Sequence, residues 1–179
     1  DGLDYFPLTV DYEERFYASG QILGSRFIRR EGRPSDEAIL SGRIVDRTIR
    51  PLFDHSLRNE VQVIVTTLSL DEYDPDILAV LGASLALGIS EIPWQGPVGA
   101  VRIGKLKNSG DYLINPSYEI RKSPEYEFDL VACGRDGAIN MIEVAGNEVG
   151  EEVVMQALEA AVKEIVKLQI GQRLRELTI

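Results

Sequence analysis

Between residues 35 and 90 the chain passes from helical to extended and back to helical patterning, and this alternation restricts its fold more than any other feature. Ser35 offers a helix N-cap, Asp36 and Glu37 suit the positive first turn, and Pro51 closes the helix at about Arg50. The run Val61–Leu70 (VQVIVTTLSL) is β-branched and mostly apolar, as befits a strand buried on at least one face. Pro75 then suits a helix start. Asp76–Ser90 is apolar nearly all round, with Gly82, Ala83 and Ser84 small enough for close packing against a sheet.

Helices of this kind need a sheet to cover, and the flanking sequence supplies strands. Extended segments are expected at Phe6–Tyr12, Val98–Ile103, Tyr112–Ile114 and Phe128–Ala132, the last turned by GRDG (Gly134–Gly137) into a hairpin with Ala138–Val144. From Glu151 to about Ile170, apolar residues recur at Val154, Leu158, Ala161, Val162, Ile165 and Leu168, which is helical spacing. No repeat, low-complexity tract or linker interrupts the pattern. Residues 1–179 therefore read as one α+β domain with a long C-terminal helix, and the length suffices for a core of its own. No apolar run approaches the ~20 residues that span a bilayer, and DGLDYFPLTV lacks the basic and apolar regions of a signal peptide. The single cysteine, Cys133, fits a reducing cytosol, and its place in LVAC reads as an inert buried thiol. A cytoplasmic, membrane-free protein is expected.

Charge is distributed unevenly. The formal net charge is -10, yet Ser25–Phe53 holds seven arginines (Arg26, Arg29, Arg30, Arg33, Arg43, Arg47 and Arg50) against four acids. A pI near 4.7 argues against coating nucleic acid indiscriminately, which needs a broadly basic surface. Guanidinium groups concentrated in one place suit an anion, because their planar fork donates bidentately to phosphate. Arg43, Arg47 and Arg50 fall on one face of the expected helix, with Ile39, Leu40, Ile44, Val45 and Ile49 around the rest. A helix apolar on most sides is expected to be buried on most sides. The ridge then meets either phosphate or acids such as Asp46 and Glu37, and Arg33 shares that alternative. In the preceding loop, Phe27-Ile28-Arg29-Arg30 between Gly24 and Gly32 combines an aromatic face for a base with cations for the backbone of a single strand. The other reading puts Phe27 in the core and its arginines in solvent.

No catalytic or metal centre emerges from the residues. His55 stands alone without a ligand pattern and reads as a surface turn residue. GASLALG (Gly82–Gly88) lacks the lysine of a P-loop and reads as packing. Trp94 reads as a packed loop anchor, and Glu13/Glu14 and Glu151/Glu152 as solvated pairs.

The segments FPLTVDYEERFYASGQI, FIRREGRPSDEAILSGRIVDRTIRPLF, NEVQVIVTTLSLD, DILAVLGASLALGISEIPWQGPVGAVRIG and INPSYE, in this order, resemble the bacterial polynucleotide phosphorylases over nearly the whole chain. The match is to the first of two RNase PH-like core domains. The resemblance implies an RNase PH-type α+β fold, a homotrimer with six core domains around a channel, and contact with single-stranded RNA and other RNA-degradation proteins. It also implies 3′-to-5′ phosphorolysis, in which inorganic phosphate attacks the terminal phosphodiester and releases nucleoside diphosphates with the help of magnesium. An aromatic–basic channel loop of that family maps onto Phe27, Ile28, Arg29 and Arg30, with Ile28 where many relatives carry Phe. Gly24-Ser25-Arg26 makes the approach to that loop one residue longer than usual. The family's catalytic Asp and Lys lie in the second core. Here Phe128 and Leu130 fall at the corresponding positions, so the resemblance implies a non-catalytic half with the magnesium site outside this chain. It further implies that the domain's opening strands, and everything after the last helix, are absent. Two alternatives remain: a stand-alone RNase PH-type exoribonuclease, and a structural assembly domain that touches no RNA.

Overall fold

Leu8–Glu14 (β1) and Val61–Thr67 (β2) lie side by side in parallel, from Leu8 opposite Val61 to Glu14 opposite Thr67. The helix Asp36–Ile49 (α1) is part of the crossover between them. This is a computed structural model, and it describes residues 4–21, 34–107 and 109–176. α1 starts at the expected cap, with the Ser35 hydroxyl oxygen accepting the Ala38 amide at 3.0 Å. A short 3-10 turn, Arg50–Leu52, carries Pro51 and ends it. The second helix, Pro75–Gly88 (α2), has proline in its first turn and is capped by the Asp74 carboxylate on the Asp76 amide at 3.1 Å.

Four further strands form an antiparallel sheet. They are Gly99–Leu106 (β3), Tyr112–Ile114 (β4), Tyr126–Arg135 (β5) and Ala138–Gly146 (β6), in the order β4-β3-β5-β6. The hairpin expected at GRDG is present. Asp136 and Gly137 both have positive φ (52° and 80°), as a type I′ turn requires. A one-turn helix, Tyr118–Arg121 (α3), joins β4 to β5, and Glu151–Glu176 (α4) closes the described chain. Sequence periodicity could not find α3, since four residues are too few to show a period.

The sheet is covered on both faces, and strand alternation assigns each residue to one of them. Val101, Ile103, Phe128, Leu130 and Ala132 pack on Ala157, Ala161 and Ile165 of α4. Ala100, Val131, Cys133 and Met141 face α1 and α2 and meet Val45, Ile49, Val80 and Leu87. Fully buried side chains such as Phe128 and Ile165 each contribute about 2–3 kcal/mol relative to exposure. Burial pushes the Cys133 thiol up to about 12, so it is unreactive, as expected.

Several local expectations need correction. Gly82 has open space around it, so only Ala83 and Ser84 pack closely, the Ser84 hydroxyl oxygen accepting the Val98 amide at 3.0 Å. β2 stops at Thr67 and leaves Leu68 exposed. The buried stripe of α4 runs Ala157, Ala161, Ile165, Gln169, while Val162 and Leu168 are only half-buried. Gln169 is tolerated inside because its Nε2 donates to the Pro97 carbonyl at 2.7 Å and its Oε1 accepts the Asp136 amide at 3.0 Å. Among the described residues, no helix is long and apolar enough to cross a membrane.

Candidate nucleic-acid interface

One face of α1 meets the core through Ala38, Ser41, Gly42, Ile44, Val45, Thr48 and Ile49. The opposite face is open, and it is broader than the sequence suggests: Ile39 and Leu40 are 49% and 55% exposed. The expectation of a helix buried on most sides is therefore wrong. The apolar count included two residues that no neighbouring element covers.

The three-arginine ridge divides into two kinds. Arg43 and Arg47 are exposed and make no ion pair or hydrogen bond with any described residue. Arg50 is held by its own turn. Its Nε donates to Asp46 Oδ2 at 3.1 Å, and its Nη2 donates to Asp46 Oδ1 at 2.5 Å and to the Leu8 carbonyl at 3.0 Å. Asp46 thus takes up Arg50 and leaves Arg43 and Arg47 without an acid. Arg43 lines a groove of about 460 Å3 between α1 and β1, whose walls include Val10, Tyr12, Ile39 and Gly42. The loop residues Phe27, Ile28, Arg29 and Arg30, together with Arg33, lie outside the described residues, just before this groove in sequence.

Residues read as structural are largely so. His55 sits in an exposed turn with its ring stacked 6.3 Å from Phe6. Trp94 packs 6.4 Å from Phe53, its indole N–H directed to the Ile49 carbonyl at 3.4 Å, so it anchors a loop. Glu13 and Glu14 are half-buried instead of fully solvated, because Arg15 pairs with Glu13 at 2.6 Å and Tyr12 donates to Glu14 at 3.1 Å.

A second charged constellation was not read from the sequence. Arg102 points from β3 into the α1/α2 side of the sheet and is only 6% exposed. Its Nη2 lies 2.7 Å from Asp74 and 3.6 Å from Asp76, and its Nη1 lies 2.5 Å from Asp129 on β5. Arg121 of α3 adds a 2.6 Å contact to Asp74. The Tyr126 hydroxyl donates to Asp129 at 2.7 Å, across Gly104, where a Cβ would fall 2.4 Å from that hydroxyl oxygen. Arg102 Nε is buried without a partner. The sequence did carry a signal: an arginine in the otherwise apolar run VGAVRIG, and an aspartate in FDLVAC, each need a buried partner.

Neither region fits a divalent cation. Phe128 and Leu130 are 1% and 0% exposed and offer no oxygen ligand. Among the described residues, no group of three or more His, Cys, Asp or Glu is arranged to hold a metal.

The chain matches the family described as RNase PH, the 3′ exoribonuclease family, domain 1, over residues 1–93. It is 51% identical over 170 residues to a polyribonucleotide nucleotidyltransferase of Thermomicrobium roseum, covering 94% of this chain and 21% of that protein. A polyribonucleotide nucleotidyltransferase of Thermus thermophilus is 52% identical over 163 residues, with 90% and 22% covered. The chain thus spans about a fifth of the length of these curated relatives. Among solved structures it resembles a chain of the Archaeoglobus fulgidus exosome with RNA bound to the active site (TM-score 0.67, 21% identity, 100% of this chain and 73% of that one). It also resembles rice Rrp46 (TM-score 0.73, 12% identity, 97% and 74% covered). At these identities the likeness is one of fold.

Proposed function

This chain belongs to the RNase PH family of 3′ exoribonucleases, and from that premise we propose that it is the first core domain of a phosphorolytic exoribonuclease, guiding RNA to a reaction carried out elsewhere. The reaction is the 3′-to-5′ shortening of RNA. An oxygen of inorganic phosphate bonds to the terminal phosphorus, the bond to the preceding O3′ breaks, and a nucleoside diphosphate leaves. The magnesium and phosphate sites belong to a second core domain outside this chain. The assembly proposed is a cytoplasmic homotrimer with a central channel, open to other RNA-degradation proteins.

One observation supports a guiding role for α1: Arg43 and Arg47 are exposed and free of acids on a protein of formal charge -10. In a chain with 29 acids, two adjacent guanidinium groups without a counter-charge suit a phosphate backbone. Phe27, Ile28, Arg29 and Arg30 are proposed as the channel grip, Phe27 stacking on a base and the two arginines on phosphates. Arg33 is assigned with them. A second reading rests on exposed Ile39 and Leu40 beside Arg43, which suit a protein contact on the same helix.

Single-stranded RNA binding by the full-length protein across a salt series separates these readings. Each phosphate contact contributes about 0.7 to the log–log slope. The guiding role requires Arg43→Ala/Arg47→Ala, and independently Phe27→Ala/Arg29→Ala/Arg30→Ala, to weaken binding and flatten the slope. An unchanged slope in both variants assigns the arginines to assembly.

A further inference from the structure

Three aspartates and two arginines meet beneath the groove between α1, α2 and α3, and two of the aspartates account for both cations. Asp74 Oδ2 accepts from Arg102 and Arg121 at 2.7 and 2.6 Å. Asp129 accepts from Arg102 at 2.5 Å and from the Tyr126 hydroxyl at 2.7 Å. Asp76 is left over. It lies 3.6 Å from Arg102, beyond hydrogen-bond reach, and its remaining polar neighbours are Asp74 and Ser41 of α1. Ser41 has a single hydroxyl proton and directs it to the Glu37 carbonyl at 3.0 Å. Its oxygen can therefore meet Asp76 only as an acceptor, and the proton must come from the carboxyl.

The surroundings favour that protonated form. Glu14 of β1 and Glu37 of α1 line the groove above, opposed by Arg121 and Lys122, with the Tyr118 phenol alongside. Burial, followed by the Asp74 charge, pushes the Asp76 carboxyl up to about 6.

We propose that Asp76 is a proton-binding site built into the seat of α1, its carboxyl donating to Ser41 when protonated and releasing the helix when ionised. The folded protein holds this proton more tightly than the unfolded chain does. The stabilisation is thus complete below the ordinary carboxylate range and is lost as pH rises through about 6. Because α1 carries Arg43 and Arg47, the proton also tunes how they are presented to RNA; that consequence rests on the function proposed above, whereas the proton site does not.

The test is amide hydrogen exchange of the 36–49 segment in the full-length protein from pH 5 to 8, corrected for intrinsic rates. Wild type is expected to lose protection about tenfold or more through pH 6, the equivalent of one pKa unit or more. Asp76→Asn, whose amide still donates to Ser41, should stay protected throughout. A flat wild-type profile overturns the proposal, as does a step that survives in Asp76→Asn. Carboxyl NMR titration of wild type needs no variant to fold, and a midpoint below 4.5 for Asp76 would equally overturn it. If the exchange step is present while RNA affinity shows no Asp76-dependent step, the RNA-facing reading of α1 fails and the proton site stands.

Discussion

Arg43 and Arg47 on α1 carry the same guanidinium as Arg102 and Arg121 under α3, yet the fold treats the two pairs in opposite ways. The first pair is exposed and has no acid. The second lies among three aspartates, with side-chain exposures of 7% and 22%. A buried guanidinium is tolerated only where carboxylates replace its lost hydration, so the inner pair is committed to structure. An exposed one keeps its hydration and its charge, and remains available to an anion from outside. Counter-ions and burial separate the two roles, and local density of arginine does not.

The largest expected effect comes from breaking the inner pair. Arg102→Met leaves Asp74 and Asp129 without their shared cation in a buried site and should cost about 3–5 kcal/mol, read from the midpoint of urea unfolding. A loss no greater than that of a surface substitution would erase the contrast. Arg43→Ala/Arg47→Ala should stay within about 0.5 kcal/mol of wild type per substitution in the same assay. Its effect belongs in RNA binding, where two lost phosphate contacts flatten the salt slope by about 1.4.

A smaller effect tests whether the inner cluster holds one carboxylate too many. At pH 7.5 Asp76 is ionised, buried and without a guanidinium of its own, so Asp76→Asn should stabilise by roughly 1–2 kcal/mol. The gain should shrink as pH falls through 6 and vanish near pH 4, where the wild-type carboxyl is protonated in both folded and unfolded states. Destabilisation at pH 7.5 would mean that Asp76 belongs to the ion-pair network after all.

These two regions also mark where the sequence was legible. Ser35, Pro51 and Pro75 act through the backbone beside them, so helix limits could be read locally. Arg43 and Arg47 could be read because helical spacing alone places them on one face. The partnership of Arg102 with Asp129 spans 27 residues and exists only through the β3–β5 register, in which Gly104 opposes Asp129. A charge in an apolar strand announces that a partner must exist without saying which. Ile39 and Leu40 misled in the other direction, since hydropathy cannot show that an apolar face has nothing packed on it. Phe27, Ile28, Arg29, Arg30 and Arg33 lie outside the described residues, so their role rests on the aromatic–basic pattern and the family.

The smallest effect is the sharpest test of the dividing line. Arg50 shares the ridge with Arg43 and Arg47 but pairs with Asp46, with side-chain exposures of 36% and 27%, and caps the end of β1 through the Leu8 carbonyl. A half-exposed pair within one helical turn contributes little, so Arg50→Ala should cost less than about 1 kcal/mol. If the counter-ion decides the role, Arg50→Ala leaves the RNA salt slope unchanged while Arg47→Ala reduces it by about 0.7. Equal reductions would mean that RNA draws Arg50 away from Asp46, and exposure alone would then separate the outer arginines from the inner ones. Asp46→Asn would resolve that case: freeing Arg50 should raise RNA affinity slightly, with no change in the unfolding midpoint beyond the small loss of the pair itself.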